Sequence, residues 1–151
     1  MTSSWEIFQE RIKAEMRKKY SENVVEHSCD PRNIGSIEGA EGYASVTGPC
    51  GDTMEIWLKM DGDMIEQASF VTNGCGTTIA SGSMVTEMVK GKSKDECLKI
   101  EQQDILDALG GLPEESEHCA LLASNTLKAA INNATQNKKH SHEKGYRRGR
   151  S

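Results

Sequence analysis

Between Thr53 and Thr72 the chain reads TMEIWLKMDGDMIEQASFVT, and the spacing of its apolar residues admits few structures. Met54, Ile56, Leu58 and Met60 alternate with Thr53, Glu55, Trp57 and Lys59, the two-residue period of a half-buried strand. Asp61-Gly62 makes a good hairpin turn, and MIEQASFVT returns as the partner strand. From Thr77 the period becomes helical, with Ile79, Ala80, Met84, Val85 and Met88 at three- and four-residue spacing and a stop near Gly91. The expected class is α+β: a small antiparallel β-sheet with helices packed on one face.

The flanking segments fit that frame. Trp5, Phe8, Ile12 and Met16 fall on one face of an N-terminal helix, with Ser3 and Glu6 as a capping box. SENVVEHSC reads as a short helix ending before Pro31, and the glycine-rich stretch 32–48 as loop with one edge strand near YASVT. Ser93 and Glu96 cap a short helix holding Cys97, DILDALGG stops on glycines, and EESEHCALLASNTLKAAINNATQ is a long amphipathic helix with acids at its start. Three parts follow: an N-terminal helical extension over 1–19, one domain over 20–137, and a basic tail over 138–151 expected to be disordered. That tail has six Lys/Arg against one Glu, so +5; the chain carries −5, which leaves −10 on the rest. An acidic body with only two Phe and two Trp argues against nucleic acid as a partner. His140 and His142 in the tail make a weak metal site.

No apolar run approaches the ~20 residues that span a bilayer. The N-terminus has neither the apolar core of a signal peptide nor the acid-poor character of a transit peptide, so a cytoplasmic location is expected. Five cysteines with no secretion signal argue against a disulfide framework. Packing, metal binding and catalysis remain.

Three cysteines lie at ends of elements. Cys50 precedes a strand in GPCGD, Cys75 sits between Gly74 and Gly76 in a strand-to-helix turn, and Cys119 opens the last helix. Loops and helix starts present side chains beside unpaired N–H groups, which stabilise a thiolate. Asp52 and His118 add one oxygen and one nitrogen candidate. Three thiolates and a weaker fourth ligand suit zinc or an iron–sulfur cluster. Spacing alone leaves this site level with three unrelated packing thiols.

Taken together, CDPRNIGS at 29–36, GPCGD at 48–52, GCGTTIASGS at 74–83 and HCALLASNTLKAAI at 118–131 resemble the IscU/NifU-type iron–sulfur cluster scaffolds, over roughly Tyr20 to Ile131. The resemblance implies a scaffold or carrier rather than an enzyme. On it a [2Fe–2S] cluster is assembled from Fe²⁺ and persulfide sulfur, delivered by a cysteine desulfurase, and handed to recipient apo-proteins. It implies Cys50, Cys75 and Cys119 as cluster ligands, with Asp52 and His118 as candidates for the fourth position, and Cys119 as persulfide acceptor. Zn²⁺ in the protein as isolated and a homodimer are both admitted. Many family members carry Leu-Pro-Pro-Val-Lys before the His-Cys pair, where a dedicated Hsp70-type chaperone binds. Here Leu112-Pro113-Glu114-Glu115-Ser116 stands in its place, so no dependence on that chaperone is expected. Asp30 replaces the family's usual asparagine. Cys97 reads as core; Cys29, near the DPRN loop, is a minor candidate for an alternative ligand.

Three rival functions use the same residues. A structural zinc module has little need of a labile aspartate beside three cysteines. A persulfide carrier needs one reactive thiol only. A cysteine hydrolase built on Cys119 and His118 ranks last, because neighbouring helical residues point in different directions.

Overall fold

The computed structural model describes residues 3–148, with side chains through residue 137. Helices α1 (Ser4–Arg17) and α2 (Glu22–Cys29) lead into a three-stranded sheet of β1 (Gly42–Thr47), β2 (Thr53–Asp61) and β3 (Met64–Thr72). Then come α3 (Gly76–Val89), α4 (Lys94–Leu98), α5 (Gln102–Leu109), a 3-10 turn at Glu114–Ser116 and α6 (Glu117–Arg148). The strand order is β1-β2-β3, antiparallel throughout. The basic segment 138–151 lies outside the residues whose side chains are described, although the α6 backbone is continuous through Arg148.

The period-two expectation holds along β2, where Met54, Ile56 and Leu58 are fully buried. They join Ile65, Ala68 and Phe70 of β3 in one core with Val85, Leu109, Leu127 and Ile131 from the helices. Two details differ from the sequence reading. The hairpin turn is Gly62-Asp63, because Asp61 still pairs with Met64; Gly62 takes the positive φ of +63° that the turn needs. In β3 the alternation breaks where a bulge shifts the register between Lys59 and Met60, which lets Ile65 and Ala68 both face inward. The opposite face carries Tyr43 and Trp57, whose rings lie 5.1 Å apart, so the helices do occupy one face only.

The DPRN loop seals the far edge of the sheet. Asn33 adopts the left-handed conformation (φ 66°) and its Nδ2 donates to Thr86 Oγ1 at 3.1 Å. In that position Asn33 O accepts from Phe70 N at 2.9 Å, and Gly35 N donates to Phe70 O at 3.0 Å. These bonds satisfy strand groups that would otherwise be an open edge. His27, 7% exposed, anchors the same loop: its Nδ1 is 2.7 Å from Ser83 Oγ and its Nε2 3.2 Å from Arg32 Nη1. A guanidinium only donates, so the network assigns the proton to Nδ1 and leaves Nε2 as acceptor.

The N-terminal helix forms as expected, capped by Ser3, whose Oγ accepts from Glu6 N at 3.1 Å. Its apolar face is open rather than packed, with Trp5 63% and Phe8 53% exposed. Amphipathic spacing states which side of a helix seeks apolar contact and not whether the domain supplies it. No helix is long and apolar enough to cross a membrane among the described residues.

Two measurements test this packing. Gly82 lies under the Phe70 ring, and an added Cβ would stand 2.4 Å from Phe70 Cδ2. Gly82→Ala is expected to lower stability by about 1–3 kcal/mol in urea unfolding, the usual cost of overpacking. Burial, then the Arg32 charge, lowers the His27 pKa from 6.5, with Glu26 and Glu87 opposing. The unfolded chain therefore binds more protons than the folded one as pH falls below 6.5. Stability should decline over that window, flatten below the folded pKa, and lose much of this slope in His27→Asn.

Candidate metal centre

Two loops and two helix starts meet at one end of the sheet. The β1–β2 loop closes through Gly51 N to Gly48 O (3.0 Å) and Gly48 N to Asp52 O (2.8 Å), with Gly51 at φ +88°. This turn leaves Cys50 exposed at its tip and half-buries Asp52 at its base. The β3–α3 turn is stitched to it. Asn73 Oδ1 accepts from Thr53 N at 2.8 Å, Thr72 Oγ1 donates to Thr53 O at 2.6 Å, and Gly74 N donates to Thr72 Oγ1 at 3.1 Å. From the other side Ser28 Oγ donates to Gly76 O at 2.8 Å. The Cys75 backbone is thus fixed by neighbours, while its side chain stays exposed as N-cap of α3.

Cys119 is the hub, in the first turn of α6. Thr77 Oγ1 lies 3.4 Å from Cys119 Sγ and 3.4 Å from Cys75 Sγ. Thr78 Oγ1 lies 3.3 Å from Cys119 Sγ and donates to Asp52 Oδ2 at 3.1 Å. His118 Nε2 is 3.8 Å from Cys119 Sγ. Neighbours on this helix start therefore do meet, against the sequence argument, because the half-buried imidazole reaches back over the thiol. At 2% exposure Cys119 meets a substrate carbonyl only if the start of α6 opens.

The structure thus joins Cys75, Cys119, Asp52 and His118 through shared polar contacts. Cys50 sits on the adjoining loop. Among the described residues no three His, Cys, Asp or Glu side chains stand close enough to hold a metal ion in this arrangement. The donor chemistry nevertheless fits: three soft sulfurs with a carboxylate and an imidazole. Thr77 and Thr78 escaped the sequence reading. Their hydroxyls stand in the GCGTT motif, but threonine near a helix start is ordinary.

Cys75 is set apart electrostatically. The Thr77 hydroxyl lowers its pKa from the usual thiol range, helped by the N–H groups of Thr77 and Thr78 and opposed by partial burial. These are the donors a helix N-terminus leaves unpaired. Cys97 is the reverse case, fully buried with its thiol pushed up to about 11 by burial. That placement agrees with its reading as core. Cys29 ends α2, exposed, with Sγ 3.6 Å from Met16 Sδ.

Alkylation resolves these differences. In metal-free protein, Cys75 should react with iodoacetamide with a midpoint below that of a free thiol, and Thr77→Val should move the midpoint upward. Cys97 should be modified only after unfolding. Peptide mass spectrometry across a pH series reads all three.

The chain is similar to known proteins over most of its length. The chain is 47% identical over 113 residues to the iron-sulfur cluster assembly scaffold protein IscU 1 of Archaeoglobus fulgidus, covering 74% of each chain. It is 47% identical over 117 residues to the iron-sulfur cluster assembly scaffold protein IscU of Escherichia coli K12, covering 74% of this chain and 91% of that one. The crystal structure of a nitrogen-fixing NifU-like protein (N-terminal) from Brucella abortus superposes with a TM-score of 0.64. That match covers 80% of this chain and 97% of the other at 19% identity, a likeness of fold. The sequence profile of the NifU-like N-terminal domain matches residues 19–141, and with relatives of this identity the chain belongs to the IscU/NifU family of iron–sulfur cluster assembly scaffolds.

Proposed function

We propose that this chain assembles a [2Fe–2S] cluster as cargo and transfers it to apo-proteins, using Cys50, Cys75 and Cys119 with Asp52 or His118 in the fourth position. The observation that supports it most directly is the convergence of Cys75, Cys119, Asp52 and His118 on the first turns of α3 and α6. Cys50, on its glycine-flanked loop, completes the set by a movement of that loop. Iron enters as Fe²⁺, and sulfur as persulfide from a cysteine desulfurase. Two sulfane sulfurs take four electrons to become sulfide. Two come from oxidation of two Fe²⁺ to Fe³⁺, and two from a pair of thiols that closes to a disulfide or from two turns of a one-electron donor protein.

Cys119 is the proposed persulfide acceptor. Because it is 2% exposed, sulfur delivery requires the α6 start to open toward the desulfurase. Cys75, exposed and with a lowered pKa, is the alternative landing point. A carboxylate beside three thiolates is the weaker ligand and the point of release, which suits a donor better than four cysteines would. The 112–116 segment lacks the family lysine, and Glu115 is held by Lys19 at 2.9 Å. Cluster transfer is therefore expected to show no stimulation by a dedicated Hsp70-type chaperone pair.

Anaerobic reconstitution with Fe²⁺, cysteine and a cysteine desulfurase tests the reading. Iron and acid-labile sulfide should appear in near-equal amounts, with visible charge-transfer bands lost in Cys50→Ala, Cys75→Ala or Cys119→Ala. Asp52→Ala should retain the cluster longer and slow its transfer. Zinc that iron and sulfide cannot displace would establish a structural zinc module instead. Persulfide without iron uptake would establish a sulfur carrier.

A further inference from the structure

Thr78 is wholly buried in the first turn of α3, and its hydroxyl reaches two site residues, Asp52 Oδ2 at 3.1 Å and Cys119 Sγ at 3.3 Å. A hydroxyl has one proton to give and a carboxylate only accepts. The proton therefore goes to Asp52, and the Thr78 oxygen is left facing the Cys119 sulfur as acceptor. Two other hydroxyls on α3 behave differently. Ser81 and Thr86 donate to carbonyls of the preceding turn, Thr77 O and Gly82 O, each at 2.8 Å. That is the ordinary use of a hydroxyl inside a helix. Thr78, like Thr77 and Ser83, reaches off its helix, and it joins the β1–β2 loop to α6.

The backbone is shaped around this side chain. A Cβ at Gly74 would lie 2.6 Å from both Thr78 Cβ and Thr78 Oγ1. The residue before Cys75 must be glycine for Thr78 to fold over the turn. A buried hydroxyl with that accommodation, joining two elements that each carry a proposed ligand, is placed to control how those ligands are offered.

We propose that Thr78 is a positioning residue that occupies Asp52 Oδ2, so that Asp52 offers a metal Oδ1 alone while remaining coupled to Cys119. A carboxylate confined to one oxygen, with charge drawn off by a hydrogen bond, exchanges more readily than one that chelates through both. Thr78 thereby sets the lability of the fourth ligand. This rests on the scaffold function proposed above.

Co²⁺ bound to the full chain is the probe, since thiolate-to-cobalt absorption reports the cysteine ligands and d–d intensity falls from four to five coordination. Thr78→Val keeps the shape and removes the hydroxyl. It should retain the thiolate bands of the parent protein and lose d–d intensity as Asp52 chelates. Thr78→Ser should restore the parent spectrum. In an Asp52→Ala background the valine should change nothing. Cluster transfer from Thr78→Val to an apo-ferredoxin should slow by about tenfold, the scale of one hydrogen bond to a charged group. Thr78→Ala serves the same comparison should the valine variant not fold. A valine variant with parental thiolate and d–d bands would overturn the inference while leaving the scaffold function standing. Parent protein that shows no thiolate–cobalt band and takes up no cluster would overturn both.

Discussion

The contact on which the rest of this structure depends is that of the Phe70 ring with the backbone of Gly82. It brings α3 against β3 more closely than any side chain at position 82 would allow. Burying that ring contributes roughly 1.5–3 kcal/mol, but its larger effect is geometric. Strand and helix are consecutive, joined only by residues 73–75. Once their packing distance is set, the turn between them has one course, and Cys75 takes its place at the head of α3. The bulge in β3 serves the same end, re-phasing the strand so that Ile65, Ala68 and Phe70 all reach the helices.

Hydrogen bonds of short side chains, rather than ion pairs, carry this fixed geometry to the site. Lys18–Glu15 and Lys90–Glu87 are exposed pairs of the kind worth about 0–1 kcal/mol. The bonds of Thr72, Asn73, Ser28 and Thr78 are short-side-chain bonds to neighbouring backbone or carboxylate, and they tie the Cys50 loop, the Cys75 turn and α3 together. Short side chains lose little rotamer entropy when ordered, so such stitches hold a loop at low cost. The His27–Ser83–Arg32 network does the same for the DPRN loop, holding it against α3.

A site that receives and then surrenders its cargo has requirements different from one that keeps it. Cys75 and Cys119 are separated by one threonine hydroxyl, Asp52 and Cys119 by another, and Cys50 waits on an exposed loop. The proposed ligands are gathered but not closed around a point.

Much of this was readable beforehand. The β2 alternation, the helical periods of α3 and α6 and the capping box at Ser93–Glu96 are local patterns, and a buried face repeats along one element whatever packs on it. The four motifs fixed the family because they combine identity with order along the chain. The sequence by itself determined the α+β class, the positions of the three thiols at element ends and the core role of Cys97. Only the tertiary structure decided that Cys119 is buried while Cys50 and Cys75 are exposed, and that the apolar face of α1 finds no cover in the domain. It alone also decided that Thr77 and Thr78 stand between Cys75, Asp52 and Cys119. The physical reason is that burial and hydrogen-bond partnership are relations between elements. Residues 41 and 42 positions apart share no pattern along the chain until α3 and α6 are laid side by side.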